Sequence, residues 1–157
     1  MADKKKEVRY DIDGYEAVTP ALRELLNRYP DLTEGKEISF STLGEDKGIA
    51  MFPGAGAAIE KEKSDITGTV KQVCSYPFFV VYRAAGLSEN RKAAVKEWLD
   101  SLGRWLEGLN DYPALTGNRK MLSVTRQTPA YLDNINENKS EDWVISLSLR
   151  YQNEFNK

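Results

Sequence analysis

The chain has 157 residues, 41% of them hydrophobic and 29% charged. That is enough for one domain with a single core and excludes extended disorder as the default. Its net charge of −2 lacks the basic surplus by which a dedicated duplex-binding module neutralises phosphates. There is no histidine and a single cysteine, Cys74. This removes the commonest general base and metal ligand, every Ser-His-Asp or Cys-His arrangement, internal disulfides and cysteine-rich zinc sites.

The N-terminus, Met1-Ala2-Asp3-Lys4-Lys5-Lys6, is charged with no apolar run behind it, which argues against a signal peptide. No apolar stretch of about 18 residues offers a membrane span, so a cytoplasmic protein is expected. One domain over residues 1–157 is expected, with 1–13 as a flexible arm. That arm is either a solvated tail or a segment that orders on a partner.

A first helix is predicted over residues 14–29, where Val18, Leu22, Leu25, Leu26 and Tyr29 form one stripe. Pro20 suits only a first turn, so the spacing places the start nearer Thr19 as N-cap, and Pro30 ends the helix. Ile38 and Phe40 alternate with polar residues over 37–42 and predict a short strand; residues 49–52 predict another, and 53–56 a turn or loop.

Residues 57–83 read as a long hairpin or meander. Its first limb, 59–63, is charged and extended, and Ser64-Asp65 is either a turn or a continuation. Residues 66–75 are rich in β-branched side chains. Pro77 predicts an edge or a bulge, and residues 78–82 a central apolar strand.

A second helix is predicted over residues 88–109 with Ser88 as N-cap. Ala94, Val95, Trp98, Leu99, Leu102, Trp105, Leu106 and Leu109 make its apolar stripe, and Arg91, Lys92, Lys96, Glu97, Asp100 and Arg104 fall largely opposite. Residues 121–125 and 142–151 predict two more strands, with a polar loop over 133–142. In the last strand Trp143, Ile145, Leu147, Leu149 and Tyr151 share one face, the mark of a strand buried on one side. The element order predicts an α+β fold: a mostly antiparallel sheet with two main helices packed on one face.

No catalytic residue, cofactor site or metal ligand set emerges. Asp11 with Asp13 and Glu60 with Glu62 are i, i+2 carboxylate pairs, but both lie in charged segments and read as solvated surface. Gly54-Ala55-Gly56 lacks the third glycine and following helix of a dinucleotide loop, and residues 116–120 lack the order of a phosphate loop. Trp98 and Trp105 read as core rather than as a platform for bases or sugars. Cys74, in an apolar strand, reads as a buried inert thiol. Lys61, Lys63, Arg91, Lys92, Lys96, Arg104, Arg119, Lys120, Arg126 and Arg150 are either interspersed surface charge or the lining of a channel in a ring.

The charged segment 59–66 also has two readings. It is an edge strand protected against aggregation, or an arm that adds to a neighbouring subunit's sheet. Ile59, Glu60, Lys61, Glu62, Lys63, Asp65 and Ile66 are therefore the candidate inter-subunit residues.

Several runs resemble one family when taken in order. They are Ile66-Thr67-Gly68-Thr69-Val70, then Tyr76-Pro77-Phe78-Phe79-Val80-Val81-Tyr82-Arg83, then a helix ending Trp105-Leu106-Glu107, and a last strand ending Leu147-Ser148-Leu149-Arg150-Tyr151. Together they resemble the tail terminator or minor capsid proteins of tailed phages and prophages of Gram-positive bacteria. The likeness is one of pattern and order over residues 19–151. It implies a structural virion protein, assembled in the host cytoplasm, that forms a ring, typically a hexamer, on the head-proximal end of the tail. Such a ring ends tail-tube polymerisation and offers a head-joining surface. Its implied partners are further copies of itself, the tail-tube protein, and sheath and head connector proteins. No membrane and no specific nucleic acid is implied, although DNA passing through the lumen is compatible with it. A phage-tail-like particle without a head fits equally. The alternatives are a head-completion or connector protein and, from another class, a small α+β module binding a ligand or nucleic acid.

Overall fold

The computed structural model describes residues 9–32, 36–54, 57–115 and 117–157. The order is α1 (Ile12–Leu26), β1 (Ile38–Phe40), β2 (Gly48–Pro53), β3 (Ala58–Ser64), β4 (Thr69–Ala84), α2 (Glu89–Glu107), β5 (Arg119–Arg126), β6 (Tyr131–Ile135) and β7 (Glu141–Asn156). This is the α+β fold expected, with seven strands in one sheet that is antiparallel except where β1 runs parallel to β2.

The spine of the sheet is the pair β4 and β7. Each has 16 residues, and they pair throughout, from Thr69 opposite Asn156 to Ala84 opposite Glu141. At about 3.3 Å per residue this ribbon is roughly 50 Å long. Two short strands then share each outer side. β3 lies along residues 70–75 of β4 and β2 along 78–83. β5 lies along residues 147–153 of β7 and β6 along 141–144.

Period-2 patterning explains why so long a ribbon forms. On one face Cys74, Tyr76, Phe78 and Val80 of β4 stand opposite Tyr151, Leu149, Leu147 and Ile145 of β7, all fully buried. Val18, Leu22, Leu25 and Leu26 of α1 and Leu99, Leu102 and Leu106 of α2 join them in one core. Burying each such side chain contributes about 1.5–3 kcal/mol before ordering entropy is subtracted. The other face, with Val73, Pro77, Phe79, Val81, Ser146 and Ser148, is half-buried.

Pro77 does not mark an edge or a bulge. β4 runs through it unbroken at the centre of the sheet, opposite Ser148. The Gly54 amide donates to its carbonyl at 2.8 Å. In an antiparallel ladder a residue's N–H and C=O point the same way, so the missing donor falls where β2 has ended at Pro53 and β3 has yet to begin at Ala58.

α1 begins earlier than expected, so Pro20 lies inside it. The N-cap is Asp11, whose side chain accepts from the Gly14 amide. Of the expected 1–13 arm, residues 1–8 lie outside the described residues, while Arg9 and Tyr10 run beside β3 and Ile12 opens the helix. Pro20 removes the donor that would meet the Glu16 carbonyl, and the neighbouring Thr19 hydroxyl donates to the Tyr15 carbonyl at 2.8 Å. In α2, Ala94 is exposed and Asp100 is buried, the reverse of the expected stripe. Asp100 turns inward because its carboxylate accepts from the Ala130 amide at 2.8 Å and from Lys96 at 2.7 Å. Residues 131–135, expected in part as loop, form β6, and the tight turn after it delivers β7. No described helix is long and apolar enough to cross a membrane.

Candidate functional site

The expected inter-subunit segment forms the β3–β4 hairpin at one end of the ribbon. Its turn is closed by Asp65, whose amide donates to the Thr69 carbonyl at 3.0 Å. The Asp65 carboxylate accepts from the Thr67 amide at 2.9 Å, the Thr67 hydroxyl at 2.6 Å and the Thr69 amide at 3.0 Å. The Thr67 hydroxyl, first among these donors, holds the Asp65 carboxyl below its ordinary range. Gly68 takes φ +87°, where a side chain is strained. The end of β7 is tied on as well: the Lys157 amide donates to the Gly68 carbonyl at 2.8 Å, and the Thr69 hydroxyl to Asn156 at 3.1 Å. The tip is thus the end of a three-stranded sheet rather than a free two-stranded arm. It displays Ile66 fully exposed.

The other candidate residues divide by what they touch. Ile59 is half-buried against the core. Glu60 pairs with Arg150 at 3.1 Å, and Glu62 with Arg9 at 2.9 Å and the Gln72 amide at 2.7 Å. Lys61 and Lys63 have no carboxylate partner among the described residues. Lys63 stands directly opposite Lys71, a like-charge placement that disfavours the pair.

The base of the hairpin is anchored by a polar knot that corrects the reading of Asp11 as solvated surface. Asp11 is 9% exposed. Arg119 donates to both its oxygens, at 3.0 and 2.9 Å, and the Tyr151 hydroxyl donates at 3.0 Å. Burial works against the carboxylate's charge, but Arg119, Tyr151 and the Gly14 amide outweigh it and hold Asp11 below its ordinary value. Cys74 is fully buried, as expected, and burial pushes its thiol up to about 11. A cleft of about 530 Å³ opens beside the knot, between Tyr10–Asp13 and the strands bearing Ile59, Gln72 and Phe155.

Most of the basic residues considered as a channel lining are tied up. Lys92, Lys96, Arg104, Arg119, Arg126 and Arg150 pair with Glu141, Asp100, Glu97, Asp11, Glu107 and Glu60. Trp98 and Trp105 are half-buried around Tyr29, with ring centroids 5.3 and 5.4 Å from it, and the Trp98 indole donates to the Asp31 carbonyl. Among the described residues no group of three histidine, cysteine, aspartate or glutamate side chains could hold a metal ion.

Sequence reasoning missed a second surface. β6 pairs only with β7 among the described residues, and all five of its residues are exposed, including Tyr131, Leu132 and Ile135. It lies on the opposite side of the sheet from β3 and at the opposite end of the ribbon. The signal was there in Tyr131-Leu132 and Ile135, but the asparagines that follow outweighed it.

No protein-family model matches the chain, and no curated protein matches it.

Proposed function

We propose that this chain is the ring-forming subunit that closes the head-proximal end of a phage or phage-like tail, ending tube polymerisation and offering the surface for head joining. The observation that carries this reading is the pair of unlike edges on one rigid sheet. β3 with its hairpin lies on the β4 side, beside β2 and the outermost β1, and the exposed strand β6 lies on the β7 side, beside β5. A subunit whose two edges differ associates head to tail, and such contacts close into rings when the rotation permits. The ordered likeness to tail terminators supplies the identity of the ring, and the absence of histidine removes the commonest general base of a competing enzymatic reading.

The test is removal of the protein from a producing strain, followed by imaging of the particles. Tails of uncontrolled length are the expected result. Tails of normal length that fail to join heads would replace this reading with that of a head-completion or connector protein. Saturable binding of a small ligand or nucleic acid by the isolated monomer, with normal particles, would favour a binding module.

A further inference from the structure

We infer that β6 is the seat for the β3 strand of a second copy of this chain, so that neighbouring sheets run into one another around the ring. This rests on the ring reading above and names the contact that closes it.

The receiving edge is guarded only by its shortness, the register shift between Leu132 and Asn134 and the charge of Asp133. Soluble proteins protect edge strands with lysine, proline or a covering element. Tyr131-Leu132-Asp133-Asn134-Ile135 has neither lysine nor proline, and every residue is exposed. Tyr131, Leu132 and Ile135 are 39%, 40% and 62% exposed. An apolar strand with one open side is a template for strand addition.

The entering edge is β3. The Arg9 carbonyl accepts from the Ile59 amide and Tyr10 bridges Ala58, so among the described residues the backbone cover meets Ala58 and Ile59, and the Arg9 side chain reaches on to Glu62. Beyond Ile59 the outer side of β3 has no backbone partner among the described residues. The stretch from Glu60 to Ser64, beyond that cover, matches the five residues of β6 in length.

Charge selects this partner. Glu60 and Glu62 are already held by Arg150 and Arg9, so β3 presents Lys61 and Lys63 with no carboxylate of their own among the described residues. On the receiving side Asp133 and Glu137 likewise have no cation partner there, and Lys139 in the same turn leaves that edge with one net negative charge. A positive strand meeting a negative edge favours the heterologous contact, whereas β3 against β3 or β6 against β6 would oppose like charges.

The experiment uses the full chain, with native mass against concentration as readout and a thermal melt to confirm folding. One variant carries Lys61→Glu and Lys63→Glu, a second Asp133→Lys and Glu137→Lys. Each alone is expected to weaken assembly at least about tenfold. An equal mixture of the two is expected to restore it, because each reversed edge then meets a complementary one. If the glutamate pair fails to fold, Lys61→Gln with Lys63→Gln gives the same comparison with a smaller loss. Wild-type rings that persist in both variants, or a mixture that restores nothing, overturn the edge pairing and leave the ring reading standing. A wild-type chain that stays monomeric at every concentration overturns both.

Discussion

Asp11 joins three parts of the molecule through one carboxylate: it caps α1, pairs with Arg119 of β5 and accepts from Tyr151 of β7. Breaking a buried pair strands the partner's charge, at a cost of about 3–5 kcal/mol. Arg119→Ala is therefore expected to lower the stability measured by urea unfolding by about that much. Asp11, Asp100 and Asp142 are all held below their ordinary value. Burial opposes this at Asp11 and Asp100, where Arg119 and Lys96 prevail, and Arg83 is the leading cause at Asp142. A carboxylate with a depressed folded value adds stability above its unfolded value of about 3.9 and loses it as pH falls toward the folded one. The melting temperature is thus expected to hold through neutral pH and drop steeply below about pH 4. Asp142→Asn should lower the neutral melting temperature and flatten that drop; an unchanged acid profile would contradict the assignment. Gly14 belongs to the same knot, since a Cβ there would collide with the Asp11 carboxylate and the Tyr151 hydroxyl. Gly14→Ala is expected to destabilise by about 1–3 kcal/mol despite alanine's higher helix propensity, again by urea unfolding.

Among the elements, β4 shows what its face alternation is worth. Phe78 is fully buried on the helix side, while Phe79, the next residue, lies half-buried on the open side. Phe78→Ala is expected to cost about 3–5 kcal/mol and Phe79→Ala clearly less; equal losses would mean the open face is covered within the monomer. In the sequence β4 was legible over residues 78–82 only as an apolar run, without its alternation, whereas α2 with its Ser88 cap and the buried face of β7 were legible because each rests on a local period. What was not legible depends on contacts distant in sequence. Asp11 looked solvated because its partners Arg119 and Tyr151 lie more than a hundred residues away. Pro77 looked like an interruption because the gap between β2 and β3 exists only once both have paired with β4. β6 looked like loop because its pairing with β7 adds more than its own composition does. Of the candidate site, the hairpin residues 59–66 were legible as charged and extended, with a turn at Ser64-Asp65 as one of two readings, but the half-burial of Ile59 and the hydrogen bonds of the Asp65 carboxylate were not.

At the scale of the whole molecule, the sheet and both helices share one core, and β3 and β6, on opposite sides of the sheet, differ in charge and in cover. On this account the ring needs no ligand to order it, since the hairpin tip is fixed by Asp65, Gly68 and the end of β7. Gly68→Val should then loosen the tip and slow assembly without unfolding the core, checked by native mass and near-ultraviolet circular dichroism together. Native mass spectrometry of the purified chain decides whether it closes into a ring. One closed species is expected, at six times the 17.8 kDa subunit mass if the family likeness carries over, with no open ladder of larger multiples. A monomer at tens of micromolar, or a two-fold dimer that grows no further, would contradict it.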